Sequence, residues 1–581
     1  MNTAIDYQYI DSHDHDHDHD QYEFAVARAQ QLFLDGWRVS IGFSGKDSSA
    51  ACVCIVEGLR RAKAIRGDVG PLHVVTTNTT LDNMVLHDYM LTLHDDLIEY
   101  GRQHDLPIEC HELKPALSSL PVVEFVGRGK LLRTPETSSN GRDCALDWKI
   151  KPMKTFLKSL SKKYQTDKIC SISGSRDDES NVRKGNLKKR GETAHTPVMT
   201  DLGWTLALIK EWSLSDVWHL FELIDNDDIE SFSDNLRFMK KHYSASNGGA
   251  CDLFAGELAA NKSCGSRFGC VLCAQVKEDN SLLNLINIDP KQYGFMRPLN
   301  DLRTYMVNTL YDFSKRSTLG RKLTKDGYIK VGLNQYSLEY RMDLLRYILT
   351  IQQDTYESGG NHTIDLIDYR ELLAIQFAWS REGGEEAPGM ALQIWHDIVN
   401  NGQRYPIPKT TLVEKSFTPT YTYFPLMKFV ESNQPVGLDD EGIQAGGKFK
   451  EIERMFNRNG EKHRVIRYTE SSSFNVVTKN AFAMTFVEDF YLELLEDGHL
   501  DNKCPTVMLK QLLESGVVTL AKGTIGRVHD DARRAQALNS LRATTGIPTA
   551  EAIMALSVSE KVMNAEISSR QTNQATQQSL F

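Results

Sequence analysis

Short apolar runs and amphipathic segments alternate along the first part of the chain. The apolar runs are rich in β-branched residues, which is typical of buried strands. They are WRVSIGF at 37–43, LHVVTTNT at 72–79, LPIECHEL at 106–113 and KICSISGSR at 168–176. Residues 21–36, 49–62, 86–104 and 213–224 carry apolar residues at helical spacing. Strands that alternate with helices predict an α/β fold whose parallel sheet is covered by helices on both faces.

The pattern changes near residue 225 and again near residue 300. Helical periodicity dominates the last part of the chain, for example at 302–316, 338–356 and 480–498, and residues 433–449 resemble a linker. We therefore predict an α/β domain at 21–225, a cysteine-rich segment at 226–300 and a mainly helical C-terminal region at 301–565. The two polar ends, 1–20 with its alternating Asp and His and 566–581, are predicted to be disordered, because they hold too few apolar residues to form a core.

Length and composition indicate a folded protein of several domains. The chain has 581 residues, which predicts two to four domains, and its 41% hydrophobic and 25% charged residues are the balance of a globular protein. No apolar run approaches the roughly 20 residues that cross a bilayer, and residues 1–20 lack the layout of a signal peptide. We therefore expect a cytoplasmic protein without membrane contacts.

Charge is distributed unevenly along the chain. The net charge is −10, of which six Asp residues within 1–20 contribute −6 and the remainder of the chain −4. From Arg142 to Arg190, by contrast, there are 14 Lys or Arg against 6 Asp or Glu, a net charge of +8. A solvated helix face is the ordinary interpretation of such a run. The alternative is a surface for phosphate groups or the DNA backbone.

Ser44-Gly45-Lys46-Asp47-Ser48 follows the first predicted strand and precedes a predicted helix. In such a turn, backbone N–H groups and the positive end of the helix point at one place, which suits a phosphate. Gly45 allows close backbone approach, Lys46 adds positive charge, and Ser44 and Ser48 supply hydroxyl donors. The segment is not a Walker loop, because it has no upstream Gly-x4. The simpler alternative is a strand-to-helix turn in which Ser or Asp caps the helix.

This loop resembles the S-G-G-K-D-S loop of the ATP pyrophosphatase, or PP-loop, superfamily, with one Gly fewer. The segment from Gly174 to Arg183 resembles the G-x-R-x2-E-S-x2-R motif of the reductase-like branch, and residues 212–218 resemble its W-x3-D-V-W helix. The resemblance implies that the loop holds pyrophosphate and that ATP is cleaved between its α- and β-phosphates. It also implies that Gly174 and Arg176 line the nucleotide site and that Arg176 and Arg183 contact phosphate, which a planar guanidinium suits.

Five of the ten cysteines are candidate metal ligands. Cys264, Cys270 and Cys273 lie within ten residues, Cys251 precedes them, and Cys144 stands in an Arg-Asp-Cys sequence before a basic helix. A C-x2-C pair with further thiols suits zinc or an iron–sulfur cluster, and the spacing alone does not choose between them. Disulfides are not expected in a reducing compartment. The remaining thiols are interpreted as structural: Cys52, Cys54, Cys110, Cys170 and Cys504.

Over about residues 35–305 the chain resembles two narrower groups. Cys144 and the Cys270-x2-Cys273 pair stand where adenylyl-sulfate reductases keep cluster-binding cysteine pairs. The segments 125–152 and 251–303 resemble more closely the DndC-type proteins of bacterial DNA phosphorothioation and the related SspD-type proteins. The resemblance implies a [4Fe–4S] cluster on four of the five thiols Cys144, Cys251, Cys264, Cys270 and Cys273, with the fifth able to carry a persulfide. Three ligands and an open iron site that binds sulfide are the alternative.

The resemblance to DndC-type proteins implies a sulfurtransferase that activates DNA with ATP. The pyrophosphate of ATP is expected on residues 44–48 and the adenosine near Thr77-Asn78-Thr79. Lys46, Arg176 and Arg183 are expected to stabilise the charge, together with Mg²⁺, which Asp47 would orient. An oxygen of a DNA phosphate attacks the α-phosphorus, and sulfur from a cysteine desulfurase partner then displaces AMP. DNA and the other subunits of a phosphorothioation complex in bacterial defence are the further partners expected.

Three other functions compete with this one. A sulfonucleotide (APS or PAPS) reductase needs a catalytic cysteine near the C-terminus, but the last thiol, Cys504, is followed by 77 residues. A tRNA thiolase needs an RNA-binding module, and the sequence contains no recognisable one. A non-catalytic scaffold of a defence complex would explain the missing glycine of the loop and predicts that the protein does not turn over ATP.

Overall fold

The computed structural model describes residues 14–135, 143–246, 269–360, 362–382, 388–415, 422–429, 445–446, 453–458, 461–468, 473–477, 479–500, 506–547 and 549–578. Within these ranges, a mainly parallel sheet flanked by helices confirms the predicted α/β class. No helix in this part of the chain has the length and apolar character needed to cross a membrane.

The helices of the first half of the chain are α1 (Asp14–Leu34), α2 (Lys46–Arg66), α3 (Met84–Gln103), α4 (Asp143–Ala145), α5 (Lys151–Tyr164), α6 (Asn181–Arg190), α7 (Leu214–Asp225), α8 (Arg237–Ser246) and α9 (Asn280–Ile288). Those of the second half are α10 (Pro290–Tyr293), α11 (Arg297–Asn308), α12 (Leu338–Glu357), α13 (Tyr369–Glu382), α14 (Met390–Val399), α15 (Asn480–Thr485), α16 (Tyr491–Glu496), α17 (Val507–Glu514), α18 (Ile525–Thr545), α19 (Thr549–Leu556) and α20 (Glu560–Gln578). π-helical turns at Leu146–Ile150 and Phe486–Phe490 join α4 to α5 and α15 to α16.

The strands are β1 (Arg38–Gly42), β2 (Leu72–Thr77), β3 (Ile108–Lys114), β4 (Ile169–Ile172), β5 (Val198–Thr200), β6 (Gly203–Leu206), β7 (Leu319–Leu323), β8 (Ile329–Val331), β9 (Thr422–Phe424), β10 (Ala445–Gly446), β11 (Glu453–Arg458), β12 (Glu461–Tyr468), β13 (Phe474–Val476) and β14 (Val518–Ala521). β1 to β4 are the four strands that the apolar runs predict. The main sheet has the order β11-β12-β3-β2-β1-β4-β6-β5, and only the two edge pairings, β11 with β12 and β5 with β6, are antiparallel.

The main sheet is covered on both faces, as parallel sheets require. One face packs against α1, α2, α3 and α7, with Ile41 and Val74 among its buried residues. The other face packs against α5, with Val75 and Phe156 among its buried residues. Val74 and Val75 point to opposite faces because side chains alternate along a strand.

The ends of the described chain are more helical than their composition predicts. Helix α1 begins at Asp14, within the 1–20 segment expected to be disordered, and α20 occupies most of the 566–581 tail. For α20 the reason is local anchoring, because the Glu566 carboxylate accepts a hydrogen bond of 2.7 Å from the Tyr328 hydroxyl and lies 3.0 Å from the Lys428 ammonium. Polar residues with fair helix propensity therefore stay helical once a few contacts hold them.

The C-terminal region is not separate from the α/β core in the way that the predicted boundaries imply. An apolar run at 117–132, which follows β3, packs into the same core as α12, α13 and α14. The indole N–H of Trp379 donates to the Val126 carbonyl at 2.8 Å, and Arg341 donates to the Gly127 carbonyl at 2.8 Å. β12 also pairs with β3. The region is therefore less purely helical than its periodicity predicts, because β3 offers an open edge that a later strand completes.

Candidate functional site

The phosphate-loop candidate lies at the topological switch point of the main sheet. The chain runs from β1 outward to β2 and β3 and then returns to place β4 on the other side of β1. The carboxyl ends of β1 and β4 are therefore neighbours, and residues 44–48 and 173–176 follow them directly. In open α/β sheets this crevice is where ligands bind.

The Ser48 hydroxyl shapes the loop. Its oxygen accepts hydrogen bonds from the N–H groups of Ser44 at 2.9 Å and Gly45 at 3.1 Å, and it donates to the Gly45 carbonyl at 2.8 Å. The sequence predicted that this hydroxyl donates to a ligand, whereas in the structure it donates to the loop itself. Helix α2 begins at Lys46, so the N–H groups of its first turn and its positive end face the crevice.

Gly174 lets the two loops touch. A Cβ atom at this position would lie 2.7 Å from the Ser48 nitrogen and 2.8 Å from the Ser48 Cα. Both are backbone atoms of α2, so they cannot rotate away. The glycine that the motif resemblance places at the nucleotide site is therefore required for packing between the segment after β4 and the start of α2.

Replacing Gly174 by alanine is expected to push the loop out of position. We expect a loss of about 1–3 kcal/mol in the free energy of unfolding, as for other overpacked sites. If the loop binds ATP, as the resemblance implies, ATP binding should weaken as well. Urea unfolding and titration with a non-hydrolysable ATP analogue measure the two effects. Gly185 is the matched control, because it lies within α6 and a Cβ there meets nothing within 4 Å. Gly185→Ala should leave nucleotide affinity unchanged, and equal affinities for both variants would contradict the role of Gly174.

Asp47 joins the two basic groups of the crevice. Its Oδ2 lies 2.9 Å from the Lys46 ammonium, and its Oδ1 accepts a hydrogen bond of 2.9 Å from Nε of Arg176. Arg176 also donates to the Trp212 carbonyl at 3.2 Å, and its side chain is only 2% exposed. Both carboxylate oxygens of Asp47 thus already have cationic partners. This geometry favours Asp47 and Arg176 as positioning residues for the loop.

Arg183 differs from Arg176 in being accessible. It lies in the first turn of α6, its side chain is 42% exposed, and it forms an ion pair with Glu179. Further along α6, the side chains of Lys184, Lys188 and Lys189 are exposed. The structure therefore separates the two arginines of the motif into a buried one that holds the loop and an exposed one on a basic helix.

The W-x3-D-V-W segment at 212–218 packs against residues that border the crevice. The Trp212 carbonyl receives Arg176, and Asp216 accepts a hydrogen bond of 2.6 Å from the Ser213 N–H as part of the cap of α7. Trp218 is buried, and its ring meets that of Tyr243 at a centroid distance of 5.9 Å. These residues contribute packing and capping and do not open onto the crevice.

Tyr243, which was not among the predicted site residues, covers the loop of residues 44–48. Its hydroxyl oxygen lies 3.5 Å from the Lys46 backbone nitrogen, and its ring lies 5.3 Å from the Lys46 ammonium. A Cβ at Gly45 would lie 2.8 Å from the same hydroxyl. A tyrosine on an amphipathic helix far along the chain carries no motif, so only the tertiary structure reveals it.

His242, the neighbour of Tyr243 on α8, is expected to make the stability of the fold sensitive to acid. Its Nδ1 lies 2.9 Å from the Tyr293 hydroxyl, and burial lowers the pKa of His242 to about 4. Because a histidine in the unfolded chain has a pKa of about 6.5, the unfolded state takes up a proton first as the pH falls. The stability contribution is therefore complete above about pH 6.5 and is lost progressively toward pH 4, by up to about 3 kcal/mol.

Urea unfolding of the wild type between pH 7 and pH 5 should show this loss, and His242→Gln should flatten the slope. His195, which is exposed, serves as the control position for a His→Gln change. Equal slopes for the wild type and the His242 variant would assign the acid sensitivity to other groups.

The segment after β2 forms the next part of the same sheet edge. Thr77 is the last residue of β2 and is partly exposed, next to the carboxyl end of β1. The Asn78 amide donates to Glu112 at 2.7 Å. Burial acts to raise the pKa of Glu112, but the contacts with His87 and Asn78 outweigh it and lower the pKa to about 2. The Thr79 N–H and hydroxyl both donate to Asp82, at 3.0 and 2.7 Å.

Three cysteines lie near the Thr79–Asp82 turn. The Thr79 hydroxyl is 4.0 Å from the Cys270 sulfur, and the Cys273 N–H donates to the Cys270 carbonyl at 2.8 Å, which makes the C-x2-C pair a tight turn. Burial and the Asp82 carboxylate raise the pKa of the Cys270 thiol to about 12. Cys144 packs against the same core as Cys270. Arg303, itself buried, supports the turn by donating to the Cys273 carbonyl at 2.7 Å.

Lys149 links this turn to the thiols. Its ammonium lies 3.0 Å from Asp82. Desolvation acts to lower the pKa of Lys149, but Asp82, Cys270 and Cys144 together raise it. Both thiols are therefore electrostatic neighbours of one lysine. Of the other predicted ligands, Cys251 and Cys264 lie outside the described residues.

The described thiols do not form a preformed cage for a single ion. Among the residues that the structure describes, only His73, Glu109 and His111 form a group of three whose ligand atoms all lie within 4.8 Å of one another. Of the thiols interpreted as structural, Cys504 is outside the described residues, and the other four are buried: Cys52, Cys54, Cys110 and Cys170. Burial raises the pKa of Cys170 to about 12, so that thiol stays protonated.

The sheet edge thus brings together the positive end of a helix, a buried guanidinium, an exposed basic helix and a cysteine turn. Such an arrangement suits a phosphorylated ligand beside a thiol-bound group. No protein-family model matches this chain. No curated protein matches it either. What the site does must therefore be inferred from its residues and their geometry.

Proposed function

We propose that this protein is an ATP pyrophosphatase of the PP-loop type that adenylates a DNA phosphate and then serves in sulfur transfer to it. One observation carries the proposal: residues 44–48 and 174–176 meet at the switch point, with Gly174 against the start of α2 and Arg176 bonded to Asp47. The resemblance expects both segments at the nucleotide site, and their contact supports the proposal. It also expects Arg176 to touch phosphate, whereas Arg176 bonds to Asp47 and the Trp212 carbonyl.

The pyrophosphate part of ATP would lie at the start of α2. The positive helix end and the Lys46 N–H and ammonium attract its negative charge. The Tyr243 hydroxyl, 3.5 Å from the Lys46 nitrogen, occupies the place of an accepting phosphate oxygen, so ATP is expected to displace it. Mg²⁺ bound with ATP would offset phosphate charge. Because both Asp47 oxygens already have cationic partners, Asp47 is proposed to position Lys46 and not to ligate the metal.

The chemical step would be attack on the α-phosphorus of ATP. A non-bridging oxygen of a DNA phosphate forms the new P–O bond, the bond to the β-phosphate oxygen breaks, and pyrophosphate leaves. Arg183, which is exposed at the first turn of α6, would stabilise the charge that develops. Lys184, Lys188 and Lys189 on the same helix provide a surface for the DNA backbone.

The cysteine turn fits an iron–sulfur cluster by its donor set. Cys270 and Cys273 form a compact pair, Cys144 lies near the same lysine, and Cys251 or Cys264 would complete four ligands. When bound, the cluster would supply a site for handling sulfide-level sulfur. A sulfur nucleophile then attacks the adenylated DNA phosphorus, and AMP leaves.

The test is pyrophosphate release from ATP by the anaerobically purified protein with three candidate partners and a blank. Double-stranded DNA, tRNA, adenylyl sulfate and buffer alone are compared, and the products are checked for AMP attached to nucleic acid. Release with DNA, lost in Lys46→Ala and kept in the exposed control Lys162→Ala, supports the proposal. Release with tRNA indicates a tRNA thiolase. Sulfite production from adenylyl sulfate, with a dithiol added as the electron donor, indicates a reductase, and no turnover with any partner indicates a scaffold.

A further inference from the structure

A second cluster of ligand side chains lies on the same sheet, away from the phosphate loop. His73 is the second residue of β2, and Glu109 and His111 are two residues apart on the adjacent β3. The register pairs His73 with Glu109, so all three side chains lie on the face that α5 covers. His73 is near the amino end of its strand, whereas the phosphate loop follows the carboxyl end of the neighbouring one.

The separations of the three ligand atoms match a single metal ion. Nδ1 of His73 lies 3.0 Å from Nε2 of His111. Oε2 of Glu109 lies 3.5 Å from the first nitrogen and 3.6 Å from the second. A point equidistant from three atoms at these separations is about 2.0 Å from each, which is the ligand distance of zinc in proteins. The three ligand atoms therefore already surround a point at which a zinc ion would have the usual bond lengths.

The surroundings hold the ligands in place, as the outer groups of metal sites do. Nε2 of His73, the nitrogen that faces away from the other two ligands, lies 3.1 Å from the Tyr164 hydroxyl. With His73 bound through Nδ1, this Nε2–H would donate to the phenol oxygen. The Lys163 ammonium donates to Glu109 at 3.2 Å. The Phe156 ring packs against the His111 ring at a centroid distance of 4.8 Å.

Burial and access also suit an ion. The His73 and His111 side chains are 0% and 1% exposed, whereas Glu109 is 38% exposed and opens the cluster to solvent on one side. Two imidazoles and one carboxylate form a donor set that suits zinc and neighbouring transition metals better than magnesium or calcium. Three protein ligands leave one coordination position for water or another ligand.

We propose that His73, Glu109 and His111 form a binding site for a divalent transition-metal ion, with zinc as the first choice. The competing explanation is a neutral pair of histidines joined by a hydrogen bond, with Glu109 bonded only to Lys163. That explanation accounts for the contact of 3.0 Å between the rings but predicts no metal affinity. The site is independent of the proposed ATP chemistry and of the cysteine turn.

The probes are Zn²⁺ and Co²⁺ added to full-length protein that has been stripped of metal. Zn²⁺ binding is measured by competition with a chromophoric chelator, and Co²⁺ binding by its visible spectrum, which distinguishes nitrogen and oxygen ligands from thiolates. The test variants are Glu109→Gln, at a half-exposed position, and His111→Gln. The control is His104→Gln with Glu230→Gln, because no third ligand joins this exposed pair, 3.7 Å apart, in the part of the chain that the structure describes. Circular dichroism verifies that each variant is folded.

We expect the wild type and the control to bind one equivalent of Zn²⁺ more than either test variant. Cysteines and the Asp/His tract at 11–20 are the same in all four proteins, so the difference counts this site alone. The extra Co²⁺ should show a spectrum without thiolate bands, and Zn²⁺ should raise the Tm of the wild type more than that of Glu109→Gln. Equal stoichiometry and equal Tm shifts in the wild type and Glu109→Gln would leave a hydrogen-bonded histidine pair and overturn the proposal.

Discussion

Replacing Arg176 by methionine should destabilise the protein by about 3–5 kcal/mol, because it removes one partner of a buried charge pair. The Arg176 guanidinium is 2% exposed and binds both Asp47 and the Trp212 carbonyl. Replacing Arg183, which is 42% exposed and paired only with Glu179 among the contacts described, should cost less than about 1 kcal/mol. Urea unfolding of the two methionine variants measures the difference.

For Arg183 we expect a large effect on activity and a small effect on stability. If it stabilises charge in the transition state, Arg183→Met is expected to lower kcat/KM for pyrophosphate release by about 100- to 1,000-fold with little change in stability. Arg183→Lys keeps the charge but not the planar fork and should recover only part of the loss. An Arg183→Met variant with wild-type turnover would leave Arg183 as an ordinary surface residue. Arg176→Met should also lower kcat/KM, but in this variant the decrease should be explained by the smaller fraction of folded protein and the displaced loop.

The second large effect concerns the cysteine turn. Protein purified without oxygen is expected to contain about four iron atoms and a similar amount of acid-labile sulfide per chain, with a broad visible absorbance. Cys270→Ala with Cys273→Ala should remove both the iron and the absorbance, because two neighbouring ligands of the proposed cluster are lost. Metal and sulfide analysis of the same preparations provides the measurement.

Cys52→Ala with Cys54→Ala is the matched control for this experiment. These thiols are also two close cysteines, but they are buried in α2 and burial raises the pKa of each, so they should stay protonated. The control protein should keep its iron. One zinc per chain without sulfide in the wild type would refute the cluster and indicate a structural metal. Iron retained in the variant without Cys270 and Cys273 would show that other residues are the ligands.

Sequence reasoning found the elements that depend on local pattern. Strands β1 to β4 overlap the predicted runs at 37–43, 72–79, 106–113 and 168–176, because buried parallel strands are rich in apolar and β-branched residues. The helix after Ser44-Gly45 follows from the same alternation. By contrast, the sequence did not predict that residues 117–132 share a core with α12 to α14, because an apolar run shows that a segment is buried but not which segment it packs against.

The sequence by itself determined the α/β class, the loop at the end of the first strand and the grouping of three thiols within ten residues. Only the tertiary structure decided that Arg176 is buried and holds Asp47 while Arg183 is exposed, that Tyr243 covers the start of α2, and that His73 meets Glu109 and His111. The reason is physical. Periodicity and short motifs record interactions between near neighbours in the chain, whereas burial, charge pairing and ligand distances depend on which distant segments the sheet order brings together.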